Sequence, residues 1–282
     1  MTEADPSSQA CPSCGQTMGQ VFCGHCGERK LDAKSRSMRH IISDYIENVT
    51  SFENKIWRTL GLLLIRPGSL DRKYHVGERV RYLKPISLFL IINFLFVIFS
   101  PITDFNVNLY DQLNLQPYSA WIQPIHQQHF LPTSGLDPAT YAAQYNQSVV
   151  ILARSTIIIQ ALLFFLCAWL INWQRGYFAG DHLVFALNFH SWYMAWIVLL
   201  MLCLHAVDWL VNLLGLDLIY GYWYFLLLPV GTAIYLLLAV HTLYQRTWWQ
   251  TLLQAALLFA AMRLVHTVYR LIQYFLVTAV IE

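Results

Sequence analysis

From Ile86 to Glu282 the chain carries only five Lys or Arg residues, whereas the first 85 positions carry 13. Over that nearly uncharged stretch, apolar residues form runs long enough to cross a bilayer, at about 83–102, 148–172, 191–213, 223–244 and 251–280. Charged residues are 12% of the whole and apolar residues 57%; a water-soluble domain has about 25% and ~45–50%. A single soluble globule is therefore excluded. The expected fold is an all-α polytopic membrane protein of about five transmembrane helices, preceded by a small N-terminal zinc ribbon. The last run would extend to roughly 45 Å if wholly helical, so it is expected to tilt, kink or protrude.

The ribbon is read from Cys11, Cys14, Cys23 and Cys26, a Cys-x2-Cys-x8-Cys-x2-Cys spacing. Two such turns bring four thiolates to the tetrahedral separation that zinc accepts, and Gly15 and Gly27 let the chain fold back after each pair. With so little core, residues 1–30 need a structural Zn2+ to fold, supplying on the order of 10 kcal/mol. The alternatives are His25 in place of one Cys, or two disulfides. No secretory signal precedes Cys11, so the head is expected to stay cytosolic and reduced.

Residues 36–66 read as a two-helix linker. Met38, Ile41, Ile42, Tyr45, Ile46 and Val49 recur at helical spacing, and Thr50 with Glu53 forms a capping-box signature ahead of a second helix from Phe52 to Ile65. At roughly 14 residues the second helix is too short to span, which leaves the membrane interface or a small soluble subdomain. It stops at Arg66-Pro67-Gly68. A basic hinge over 67–85 follows; counted from Arg66 it holds six positive charges directly before the first apolar run. Residues 103–147, expected as an outer loop, contain no Lys or Arg. Positive charge collects on the cytosolic side, so the N-terminus is placed inside and, with five spans, the C-terminus outside.

Four segments together resemble one family: the ribbon, Arg66-Pro67-Gly68, the lead-in Gly77-Glu78-Arg79-Val80-Arg81-Tyr82-Leu83-Lys84-Pro85, and Asp181-His182-Leu183-Val184-Phe185-Ala186-Leu187-Asn188-Phe189-His190. The chain is similar to uncharacterised bacterial membrane proteins grouped as a domain of unknown function, with a zinc-ribbon head and several membrane helices. The resemblance implies a bacterial inner-membrane protein and carries no activity. The family pattern often has Glu-His where this chain has Asp181-His182, and can have His at the position of Asn188.

Two constellations are candidate sites. Asp181, His182 and His190, with Asn188 between them, lie at the inner side and could hold a divalent metal or move protons. The plainer reading is a headgroup-level helix capped by Asp181. Arg154, His205, Asp208, Arg263, His266 and Arg270 lie within expected spans, where an ionisable side chain is costly and turns toward protein or water. Arg263, His266 and Arg270 share a helical face, and Arg154, Asp208 and Arg270 fall in the outer half. They would form either an anion or headgroup pocket, or a structural ion pair with snorkelling arginines.

The sequence contains no Gly-rich phosphate loop, nucleophile elbow or His-Glu-x-x-His pattern. The expected function is that of a non-enzymatic scaffold, or an accessory to transport or envelope assembly. Its partners would be the lipid bilayer and a cytosolic protein bound through the ribbon, with no nucleic acid. A small transporter or lipid-handling protein, and a membrane-embedded metalloenzyme, are the alternatives.

Overall fold

The computed structural model describes residues 9–11, 13–18, 23–26, 54–99, 105–214 and 220–281. The expected amphipathic helix at Met38–Val49 and the capping box of Thr50 and Glu53 lie outside these residues. The chain divides into two compact units, Met1–Ile56 and Trp57–Glu282.

In the first unit, β1 (Gln9–Ala10) pairs antiparallel with β2 (Thr17–Met18), placing Gln9 opposite Met18 and Ala10 opposite Thr17. The turn between them closes at Gly15, whose φ of 74° is left-handed and suits a residue without Cβ. Its N–H donates to the Cys11 carbonyl at 2.9 Å.

The second unit is helical. Helix α1, over 54–65, contributes its residues from Trp57 onward and ends at the expected stop. Then come α2 (Ser69–His75), α3 (Pro85–Phe99), α4 (Leu109–Asn114) and α5 (Ser119–Ile125). One π-helical turn (His126–Phe130) leads into α6 (Leu131–Ser134). The long helices α7 (Pro138–Ile171), α8 (Ala179–Leu213), α9 (Tyr220–Tyr244) and α10 (Trp248–Ile281) complete it.

Among the described residues, α8, α9 and α10 are long and apolar enough to cross a membrane. Helix α7 is bent by 61° between Ala153 and Ser155, and counted as one broken span it makes four. Helix α3 is 15 residues, about 22 Å at helical rise and shorter than a bilayer core. Phe94, Leu202, Phe225, Leu253 and Leu264 point outward and are largely exposed. Such an apolar exterior suits lipid, where helices satisfy their backbone groups internally.

Residues 103–147 differ from the expected loop. The described part, from Phe105, folds into α4, α5, the π-turn, α6 and the start of α7. Leu109, Ile122, Tyr141 and Tyr145 pack there against Tyr274 and Val277 of α10 as one buried cluster. Tyr and scattered Leu supply this core, and the surrounding Asn, Gln and Pro disguise it. Asn108 caps α4 by accepting from the Asp111 N–H at 2.8 Å, and Asp137 caps α7 by accepting from Ala139 and Thr140.

Helix α8 packs on α3, α7 and α9, while α10 packs on α7 and α9. Aromatic rings knit these contacts: Phe164 stacks on Phe189 at 4.7 Å and Trp192 on Tyr235 at 3.8 Å.

Candidate functional site

The sulfurs of Cys11, Cys14, Cys23 and Cys26 all lie within 4.8 Å of one another. Cys11 Sγ is 3.4 Å from Cys26 Sγ, and Cys14 Sγ is 3.6 Å from Cys23 Sγ. Each close contact thus joins one Cys-x2-Cys turn to the other. These separations exceed a disulfide bond of ~2.05 Å and match the edge of a tetrahedron with Zn–S bonds of ~2.3 Å. Backbone N–H groups of Cys26 and His25 point at Cys23 and pull its thiol down to about 6, toward the thiolate a metal needs. Among the described residues these four are the one group of three or more metal-type ligands that converges, and His25 is not in it.

The hinge is not a surface strand of charge. Gly68 has φ 74°, and a Cβ added there would sit 2.4 Å from the Ala239 carbonyl oxygen of α9. Only glycine gives both the left-handed turn and this approach. The turn sends α2 against α8 and α9, burying Leu70, Asp71 and Tyr74. Asp71 is 3% exposed and Asn188 fully buried, and the Asn188 amide Nδ2 donates to Asp71 Oδ1 at 2.8 Å. Burial pushes the Asp71 carboxyl up to about 7, with the Asn188 bond acting against that rise. Among the described residues no cation pairs with it. The other oxygen of that amide, Asn188 Oδ1, is buried and has no hydrogen-bond partner among the described residues.

The other members of that motif part company. His182 Nδ1 lies 2.7 Å from the Tyr244 hydroxyl, and His190 Nδ1 lies 2.9 Å from the Ala186 carbonyl of its own helix. Asp181 is largely covered at the start of α8: one oxygen accepts from the Phe178 N–H at 2.9 Å, the other sits 3.3 Å from His75 Nδ1. Asp181, His182 and His190 therefore do not converge on one metal-sized point, and Asp181 performs the helix-capping role its position suggested.

The charged residues within the long helices also separate. His266 is buried with Nδ1 3.3 Å from Gln160 Oε1, joining α10 to α7, and its ring meets Phe105 edge-on. Arg263, one turn earlier, faces outward. Arg270 reaches the turn between α4 and α5, donating to Gln116 Oε1 at 3.2 Å. His205 Nδ1 lies 2.8 Å from the Met201 carbonyl of its own helix, and Asp208 accepts from Asn212 at 3.2 Å. The Arg154 side chain lies outside the described residues. His266 with Gln160 and Arg270 with Gln116 are thus two separate polar joints between elements.

Residues 53–97 match a family model described as a protein of unknown function, DUF3667. No curated protein and no solved structure matches the chain. The matched stretch carries all of α1, the Gly68 turn, Asp71, the basic lead-in and nearly all of α3, and it ends before Asn188. It supports membership of an uncharacterised domain family for that segment and brings no activity.

Asp71 was not legible as a site residue. Its one signal is an acid in a hinge otherwise rich in Arg and Lys, three positions after the glycine that starts the turn. Without the contact to α8, that acid reads as ordinary helix-surface charge.

Proposed function

We propose that this chain is a bacterial inner-membrane protein acting as a non-enzymatic scaffold, or as an accessory to transport or envelope assembly. Its cytosolic zinc ribbon is the module that docks a protein partner. The convergence of four thiols within 4.8 Å is the observation that supports this reading. A head with so small a core, folded by metal, is a rigid recognition surface rather than a place for chemistry. The charge asymmetry across residue 85 supports a cytosolic head.

The test is co-purification from membranes of the full chain and of its Cys11→Ser/Cys14→Ser variant, with metal content measured on both. One zinc per chain and a captured protein, both lost in the variant at unchanged membrane insertion, is the expected result. An identical set of captured proteins would sink the docking role, and absence of zinc from the native chain would sink the ribbon.

A transport or lipid-handling role is the second reading, favoured by the buried Asp71–Asn188 pair. An ionisable group held among membrane helices without a cation is costly to stability and is retained where it works. Asp71→Asn at unchanged expression separates the two: loss of phenotype with the ribbon's partner still bound favours transport.

A further inference from the structure

The lead-in between α2 and α3 arches over a cavity of about 630 Å3 whose walls include Arg79, Val80, Lys84, Phe178, Asp181 and Val184. The end of the lead-in is held at Leu83: the Tyr74 hydroxyl donates to the Leu83 carbonyl, and the Leu83 N–H donates to Thr59 Oγ1 at 3.0 Å. Two carboxylates nearby are already engaged. Glu78 pairs with Lys73 at 2.8 Å, and Asp181 is taken by the Phe178 N–H and His75. Arg79 makes one long bond, Nε to the Tyr74 carbonyl at 3.4 Å. Neither Arg79 nor Lys84 has a carboxylate partner among the described residues. On the same walls Phe178 is 78% exposed and Val80 83%. The cavity opens where α3 and α8 begin, at Pro85 and Ala179, so the positive ends of both helix dipoles are close by.

A cavity of this size, within the usual ligand range of ~300–1,000 Å3, with two available cations beside uncovered apolar side chains, suits one chemistry: a phosphate carrying a hydrocarbon tail. We propose that it is a binding site for a single anionic glycerophospholipid, with the phosphate on Arg79 and Lys84 and the first acyl methylenes along Val80, Phe178 and Val184. A zwitterionic headgroup fits less well, because the wall's one carboxylate, Asp181, is already occupied.

The experiment is native mass spectrometry of the full chain in detergent, titrated separately with phosphatidylglycerol and phosphatidylcholine. The expected result is one phosphatidylglycerol retained per chain, in preference to phosphatidylcholine. With two contacts each contributing at the scale of a basic side chain on an anionic surface, Arg79→Gln/Lys84→Gln should weaken retention about 30-fold. Val184→Trp, which fills the cavity and leaves every charge in place, should weaken it as well. Arg81→Gln removes a hinge cation that does not line the cavity, and should leave retention unchanged. Equal loss in Arg81→Gln would show diffuse surface attraction and overturn the site, as would equal retention of the two lipids. Displacement of phosphatidylglycerol by a molar excess of inorganic phosphate would assign the cavity to a free anion and overturn the lipid.

Discussion

The Asn188 side-chain amide donates to the Asp71 carboxylate at 2.8 Å across a separation of 117 residues. The bond ties the hinge after Arg66-Pro67-Gly68 to the Asp181–His190 motif, two segments that the sequence shows only as separate patterns. It also makes the hinge part of the helical packing. Among the described residues no cation pairs with this buried carboxylate, which is held by this donor and by its own backbone N–H, and Tyr235 and Tyr244 are close enough to feel its charge.

Protonation of Asp71 should therefore control stability. Its folded carboxyl is raised to about 7, above the ~3.9 of an unfolded Asp, so the folded chain binds the proton more tightly. Its contribution is fully present below about pH 4, falls as pH rises through about 7, and is flat above that, with a loss on the order of a few kcal/mol. Thermal unfolding in detergent between pH 5 and 8 should show this decline. Asp71→Asn should remove it, because an amide does not titrate, yet it keeps the bond from Asn188 Nδ2 and can donate to Asn188 Oδ1, which has no partner among the described residues. A decline of equal size in the variant would assign the pH dependence to another group.

Asn188→Ala should do the opposite. Removing the donor leaves the carboxyl with less to offset its burial, which raises it further, and costs about 1–3 kcal/mol. Unfolding temperatures of the two single variants and the double variant measure the coupling. Additive effects would mean that the contact contributes nothing.

Gly68→Ala should detach α2. The added methyl meets the Ala239 backbone oxygen at 2.4 Å, and the left-handed φ is strained for any L side chain. Neither the turn nor the α9 backbone can yield cheaply, so the expected loss is about 2–4 kcal/mol. Hydrogen exchange should show faster exchange across 69–75 than in the native chain. Unchanged protection there would mean that the hinge does not depend on this contact.

Stripping metal should affect the head and spare the helices. The thiols lie in the unit Met1–Ile56, and the long helices in Trp57–Glu282. A strong chelator should make the first unit protease-sensitive and leave the unfolding temperature of the second unchanged. A fall in both would show that the two units fold together.

Topology can be read with fusions after Glu282. In the proposed orientation α8 starts on the cytosolic side, and three crossings would put the end of α10 on the other side. Alkaline phosphatase fused there should be active, and a cytosol-dependent fluorescent protein dark. The reverse pattern would invert the orientation of every helix.

Composition and spacing were enough for the statements that depend on local chemistry. Uncharged runs mark α8, α9 and α10 as long enough to cross a membrane, and α7 as a fourth if its bent halves count as one, because lipid excludes unpaired polar groups; the first expected span is the 15-residue α3. The four cysteines identify a metal-type cluster because two short turns determine where their sulfurs lie. The stop after α1 was legible for the same reason: proline and glycine act on their immediate neighbours. What tertiary structure alone decided is which ionisable side chains are enclosed. Asp71 and Arg72 are adjacent in sequence, yet one is sealed against Asn188 and the other reaches the Thr242 carbonyl near the ends of the helices. His266 is buried and Arg263 exposed one turn apart on α10. The fate of each charge is set by the helix opposite it, through contacts more than a hundred residues apart, and residue spacing holds no record of those.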